Sequence, residues 1–99
     1  MNRTLVVEPE AEAEIARAAA WYDMRNPSVR VGFLQAVDRA LAFIRENPSQ
    51  YQIVYRNTRR AVLRRYPYAL LYTASDSEVI VVACLDTRRA PEHLEGRAR

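Results

Sequence analysis

The sequence contains no lysine: all 15 of its basic side chains are arginine. A mechanism that needs a lysine as base or as Schiff-base partner is therefore closed to it. There is one cysteine, Cys84, and one histidine, His93. A single cysteine excludes an internal disulfide, and the two residues alone cannot complete a tetrahedral zinc site. No metal site and no cofactor are expected. Only 2 glycines and 5 prolines punctuate the chain, which excludes collagen-like and low-complexity sequence. No run approaches the ~18 apolar residues of a membrane span. Met1-Asn2-Arg3-Thr4 and Leu5-Val6-Val7 lack the apolar stretch of a signal peptide, because Glu8 and Pro9 cut it short. With one cysteine, this predicts a cytoplasmic location.

What is present reads as one domain over residues 1–99, since 99 residues leave no room for two. Hydrophobic residues make up 49% and charged residues 27%, enough for a real core. Twelve acidic side chains oppose the arginines, leaving a net charge of +3. That excess is compatible with an acidic partner or a nucleic acid and is too small to demand either.

Residues 4–8 predict a strand. Pro9 suits a first helical turn, and Glu10, Glu12 and Glu14 place negative charge near the positive helix end. Ala11, Ile15, Ala18 and Tyr22 then recur along one helical face. Asn26-Pro27 is a break and a restart, Asn as N-cap and Pro as first helical residue. Phe33, Val37, Ala40 and Ile44 form the core row of a second helix, with Leu34 and Leu41 beside it, until Pro48 stops it. Helices joined by so little form an antiparallel hairpin, spanning about 10–47. The period then changes. Tyr51 to Tyr55 reads as a strand and Asn57-Thr58 as a turn. Arg60 to Tyr66 alternates, with Ala61 and Leu63 on one face and Arg60, Val62 and Arg64 on the other. Strands follow over 69–74 and 78–85. In the last, Val79, Val81, Ala83 and Leu85 share one side, and Ile80, Val82 and Cys84 the other. Strands apolar on both faces ask for cover on both. The hairpin can supply one cover, which leaves the other to a partner. The sheet half spans about 3–8 and 51–86, and a polar tail runs over 87–99.

The order β-α-α-β-β-β is joined by specific residues: Trp21-Tyr22, Asn26-Pro27, Phe33 and Asn47-Pro48. Arg64-Arg65-Tyr66-Pro67-Tyr68-Ala69-Leu70-Leu71-Tyr72 comes next. Val79-Ile80-Val81-Val82-Ala83, leading into Arg89 and Pro91, closes the set. Over about residues 3–97 this resembles the RelE/ParE superfamily of bacterial toxins, also called plasmid-stabilisation proteins. The resemblance implies an α+β fold: an N-terminal strand, an antiparallel helical hairpin, then an antiparallel sheet of three further strands, with the hairpin on one face. It implies the toxin half of a type II toxin–antitoxin pair, bound by a cognate antitoxin. Many relatives carry a histidine after the last strand where this chain has Asp86, and a carboxylate does not ordinarily titrate near neutral pH.

The superfamily divides by target. RelE-like members cut messenger RNA on the ribosome, and ParE-like members inhibit DNA gyrase. The nucleases resemble one another in supplying lysines, arginines and a C-terminal tyrosine. This chain has no lysine, and no tyrosine follows Arg89. The resemblance therefore lies nearer ParE, and leans away from an enzyme. If the chain were a ribosome-dependent endoribonuclease, Arg64, Arg89 and His93 would carry the chemistry, with arginine a poor proton carrier. The remaining alternative is a non-toxic, degenerate family member acting only as a binding module.

Arg56, Arg59, Arg60, Arg64 and Arg65 are the densest charge feature. Arg60 and Arg64 are expected on one strand face about 13 Å apart. With Arg88 and Arg89 these residues line a phosphate- or acidic-partner-binding surface, or else they blunt an edge strand against aggregation. Tyr51, Tyr55, Tyr66, Tyr68 and Tyr72 interleave with them. Base stacking is one reading; half-buried strand positions with wet hydroxyls are the other. Leu70, Leu71 and Tyr72 are expected to face the antitoxin, Cys84 to be a small buried hydrophobe, and Trp21 to anchor helix to sheet.

Overall fold

The computed structural model describes residues 3–88. A first strand, β1 (Thr4–Val7), leads directly into α1 (Pro9–Asp23), with Pro9 in the first turn and Glu10 and Glu12 at its positive end. Three residues later α2 (Pro27–Glu46) begins. The Asn26 side chain caps it, accepting from the Ser28 amide at 3.0 Å and the Ser28 hydroxyl at 2.8 Å. Pro48 opens a short 3-10 turn to Gln50. The sheet half follows as β2 (Ile53–Tyr55), β3 (Thr58–Val62), β4 (Tyr68–Ala74) and β5 (Glu78–Asp86).

Four strands therefore follow the hairpin, the four that the residue patterns over 51–85 marked and one more than the three that the resemblance implies. The five strands lie in the order β1-β5-β4-β3-β2. All neighbours are antiparallel except β1 and β5, which run parallel with Leu5 opposite Val79 and Val7 opposite Val81. The parallel pair follows from the chain path, because two helices separate β1 from the sheet strands and carry the chain back to the same end.

The helices cover one face. Ala11, Ala18, Phe33, Val37 and Ile44 from the hairpin close on Leu70, Tyr72, Val79, Val81 and Cys84 from the sheet, all buried. The rows expected from helical spacing are the ones that face inward.

Strict alternation fails in β5. Leu71 pairs with Ala83 but Tyr72 with Val81, so Val82 is an extra residue, a β-bulge. One added residue reverses every later side chain. Cys84 therefore joins Val79 and Val81 on the helix side. Ala83 and Leu85, expected there, pack on the opposite face with Ile80, Val82 and Leu71. On that face Leu71, Val82 and Ala83 are themselves buried.

Candidate functional site

Trp21 is not the helix–sheet anchor. It lies one residue off the inward row and is 47% exposed. The anchor is its neighbour Tyr22, whose ring packs against Phe33 at 5.3 Å, Tyr66 at 5.4 Å and Tyr68 at 6.3 Å. Burial, then the nearby Tyr68 and Tyr66 hydroxyls, raises the Tyr22 phenol above its usual range. Trp21 instead stands edge-on to Tyr22 and carries the Arg25 guanidinium over its ring, 3.4 Å from the centroid. Arg25 is held there by donating to the Trp21 carbonyl at 3.0 Å. Met24, 84% exposed, completes an apolar and cationic tip at the turn of the hairpin.

The predicted arginine surface is divided. Arg56 reaches over the Tyr55 ring, and Arg59 turns to the helix side to donate to the Tyr51 carbonyl at 2.6 Å. Arg60 lies opposite Leu71 and is exposed on the other face. Arg64 does not extend the Arg60 row, because β3 ends at Val62. The chain then folds into a tight corner, closed by the Leu63 amide donating to the Tyr68 carbonyl at 2.8 Å. Arg65 occupies that corner with φ 72°, a left-handed backbone that costs a non-glycine residue on the order of 1–2 kcal/mol. Arg88 is bound to Asp86, its Nε donating to the carboxylate at 2.9 Å and the Arg88 amide at 2.8 Å. The hydrogen bond to Asp86 holds the Arg88 guanidinium still more firmly protonated. Arg89 and His93 lie outside the described residues.

Leu70 and Tyr72 face the helices, so of the three residues expected to face an antitoxin only Leu71 lies on the opposite face. Tyr72 is fully buried and donates to the Pro48 carbonyl at 2.5 Å, so its hydroxyl is not wet. Burial pushes that phenol up to about 12. Cys84 is buried as expected. Its thiol is pushed up to about 12 by burial and then by Glu14, which leaves it inert as a nucleophile.

The arginines of the corner meet a feature that hydrophobic spacing alone does not reveal. Beside its core row, α2 carries a second stripe of Gln35, Arg39 and Phe43, four residues apart. This stripe faces Arg64, Arg65 and Tyr66 across a groove of about 650 Å³, with Tyr51 at one end. Gly32 lets the corner approach the helix: a Cβ there would stand 2.5 Å from the Tyr66 hydroxyl oxygen. Among the described residues no histidine or carboxylate lines this groove. A second groove, about 560 Å³, runs between the helices over Ile15, Leu34 and Leu41, with Glu12, Asp23 and Asp38 at its edges. Among the described residues no group of three or more metal-ligating side chains occurs, and no helix is long and apolar enough to cross a membrane.

Comparison with known proteins supplies a family. The model of the ParE toxin of type II toxin–antitoxin systems matches residues 5–91. A solved structure from a chromosomal ParDE toxin–antitoxin system of P. aeruginosa has a similar fold, with a TM-score of 0.73 at 14% identity, covering 83% of this chain and 92% of its own. No curated protein matches the chain in sequence.

Proposed function

The chain belongs to the ParE toxin family of type II toxin–antitoxin systems, and from that membership we propose that it binds and blocks DNA gyrase and is neutralised by a cognate antitoxin. The observation that supports this reading best is the tip of the helical hairpin. Trp21 and Met24 stand out in water beside Arg25, although burial of such side chains contributes ~1.5–3 kcal/mol each. Tryptophan, methionine and arginine are also the residue types enriched at protein interfaces. The tip is the surface offered to gyrase. The inhibition is proposed as a binding event: among the described residues, the groove that holds Arg64 is lined by no histidine or carboxylate that could move a proton at neutral pH.

The antitoxin is proposed to lie across the sheet face opposite the helices. Val6 on β1 and Val62 on β3 are exposed there, and Arg60 lies two residues before Val62 on the same strand, opposite Leu71. With Leu71, Val82 and Ala83 already buried, a segment that sets apolar side chains on Val6 and Val62 and an acidic one on Arg60 fits that face. The arginine should speed association more than it deepens affinity.

The test is a supercoiling assay with purified gyrase. The chain should inhibit at micromolar concentration, and Trp21→Ala combined with Met24→Asp should relieve the inhibition without unfolding the protein. Gyrase left unaffected, together with cuts in ribosome-bound message, would overturn the reading in favour of a ribosome-dependent endoribonuclease.

A further inference from the structure

The groove between α2 and the β3–β4 corner is not used by the gyrase reading. We propose that it is a binding site for a nucleoside polyphosphate, with the phosphates on Arg39, Arg64 and Arg65 and the base on Phe43.

The distribution of arginine partners points there. Arg3, Arg25, Arg45, Arg59 and Arg88 each donate to a carbonyl or carboxylate of the chain. Among the described residues nothing accepts from the side chains of Arg17, Arg30, Arg39, Arg56, Arg60, Arg64 or Arg65, and of these Arg39, Arg64 and Arg65 line one groove together. Three like charges brought together without a carboxylate repel one another. Arg65 is in addition held in a left-handed backbone that only the fold imposes. An arrangement of this kind is relieved by a ligand that brings several negative charges in one small volume. A diphosphate or triphosphate does so, and its paired oxygens match the planar fork of a guanidinium. An acidic side chain of a partner protein would bring only one charge at a time.

The other end of the groove suits a base. Phe43 is 45% exposed, and Tyr51 meets its ring edge-on at 5.8 Å, which fixes the ring. Arg39 lies one helical turn before Phe43, so the cation and the aromatic ring sit on one stripe. The groove volume, about 650 Å³, is that of a small-molecule site rather than of a long peptide channel.

Isothermal titration of the full chain with adenosine diphosphate, inorganic pyrophosphate and a short 5′-phosphorylated oligothymidylate tests the site. The diphosphate should bind, and pyrophosphate should bind about tenfold more weakly for want of a stacked base. Arg39→Ala and Arg64→Ala should each weaken the nucleotide by about tenfold. Both residues are exposed, so circular dichroism should show unchanged folds. Phe43→Ala should reduce the nucleotide to the affinity of pyrophosphate. Arg30→Ala, the same charge change on the same helix outside the groove, should have no effect. The proposal is overturned by no heat with millimolar nucleotide, or by an equal loss in Arg30→Ala. It is equally overturned if the oligothymidylate binds and the free nucleotide does not, since the groove would then take a nucleic acid strand.

Discussion

The Glu14 carboxylate accepts a hydrogen bond from the Cys84 backbone amide at 2.9 Å, joining α1 to the far half of β5. β1 stops pairing with β5 at Val81, so beyond that point one side of β5 has no strand neighbour. The helix supplies the acceptor that the sheet lacks. Glu14→Ala should leave that buried amide unsatisfied and lower stability by about 2 kcal/mol. Glu14→Gln keeps an acceptor and should cost less than half as much. The midpoint of urea unfolding at constant slope measures both.

Gly32 and Tyr66 should behave as a coupled pair. Alanine in place of glycine inside a helix ordinarily stabilises by about 1 kcal/mol. At Gly32 the new methyl meets the Tyr66 hydroxyl, and the ring cannot retreat freely from Phe33 at 5.6 Å and Tyr22 at 5.4 Å. Gly32→Ala alone should therefore gain nothing or lose stability. In a Tyr66→Phe background the same change should recover about 1 kcal/mol, and a double-mutant cycle would expose the difference. Strict additivity would mean that Tyr66 does not restrict Gly32.

Two buried groups predict a loss of stability in alkali. The Cys84 thiol moves from 9.0 to about 12, and the Tyr72 phenol from 10.0 to about 12. Both pKa values are raised on folding, so their contribution is complete below pH 9. It falls as pH rises, because the unfolded chain releases these protons first. Melting temperature should decline from about pH 9 and more steeply from about pH 10. Cys84→Ala should flatten the first part and Tyr72→Phe the second. In the native protein at pH 8 the thiol should resist alkylation, and react on unfolding.

Thr58 is buried and, among the described residues, its hydroxyl has no hydrogen-bond partner. An unpaired buried hydroxyl costs desolvation free energy, and valine has nearly the same shape. Thr58→Val should raise stability by about 1 kcal/mol, read from thermal or urea unfolding. A loss of that size would show that the hydroxyl is satisfied.

Much of the fold was legible because its signals are local. The Ala11, Ile15, Ala18, Tyr22 row and the Phe33, Val37, Ala40, Ile44 row follow from 3.6-residue periodicity. Asn26-Pro27 and Pro48 set the helix ends through cap chemistry and a missing amide. The motif at Arg64 to Tyr72 and the total absence of lysine pointed to the same toxin family as the comparison. Tertiary structure decided what depends on a neighbour. The bulge at Val82 arises in the pairing of β5 with β4, so alternation within β5 alone assigned Ala83, Cys84 and Leu85 to the wrong faces. A corner after Val62 took Arg64 and Arg65 off the strand row and set them opposite Arg39, some 25 residues earlier in the chain. Helical spacing put Tyr22 on the inward row, yet Trp21 was expected to anchor helix to sheet; the packing of Tyr22 against Phe33, Tyr66 and Tyr68 shows that the anchor is the residue on the row. Period and capping are properties of a segment. Register, facing and the meeting of distant charges are properties of pairs of segments, and those exist only once the chain has folded.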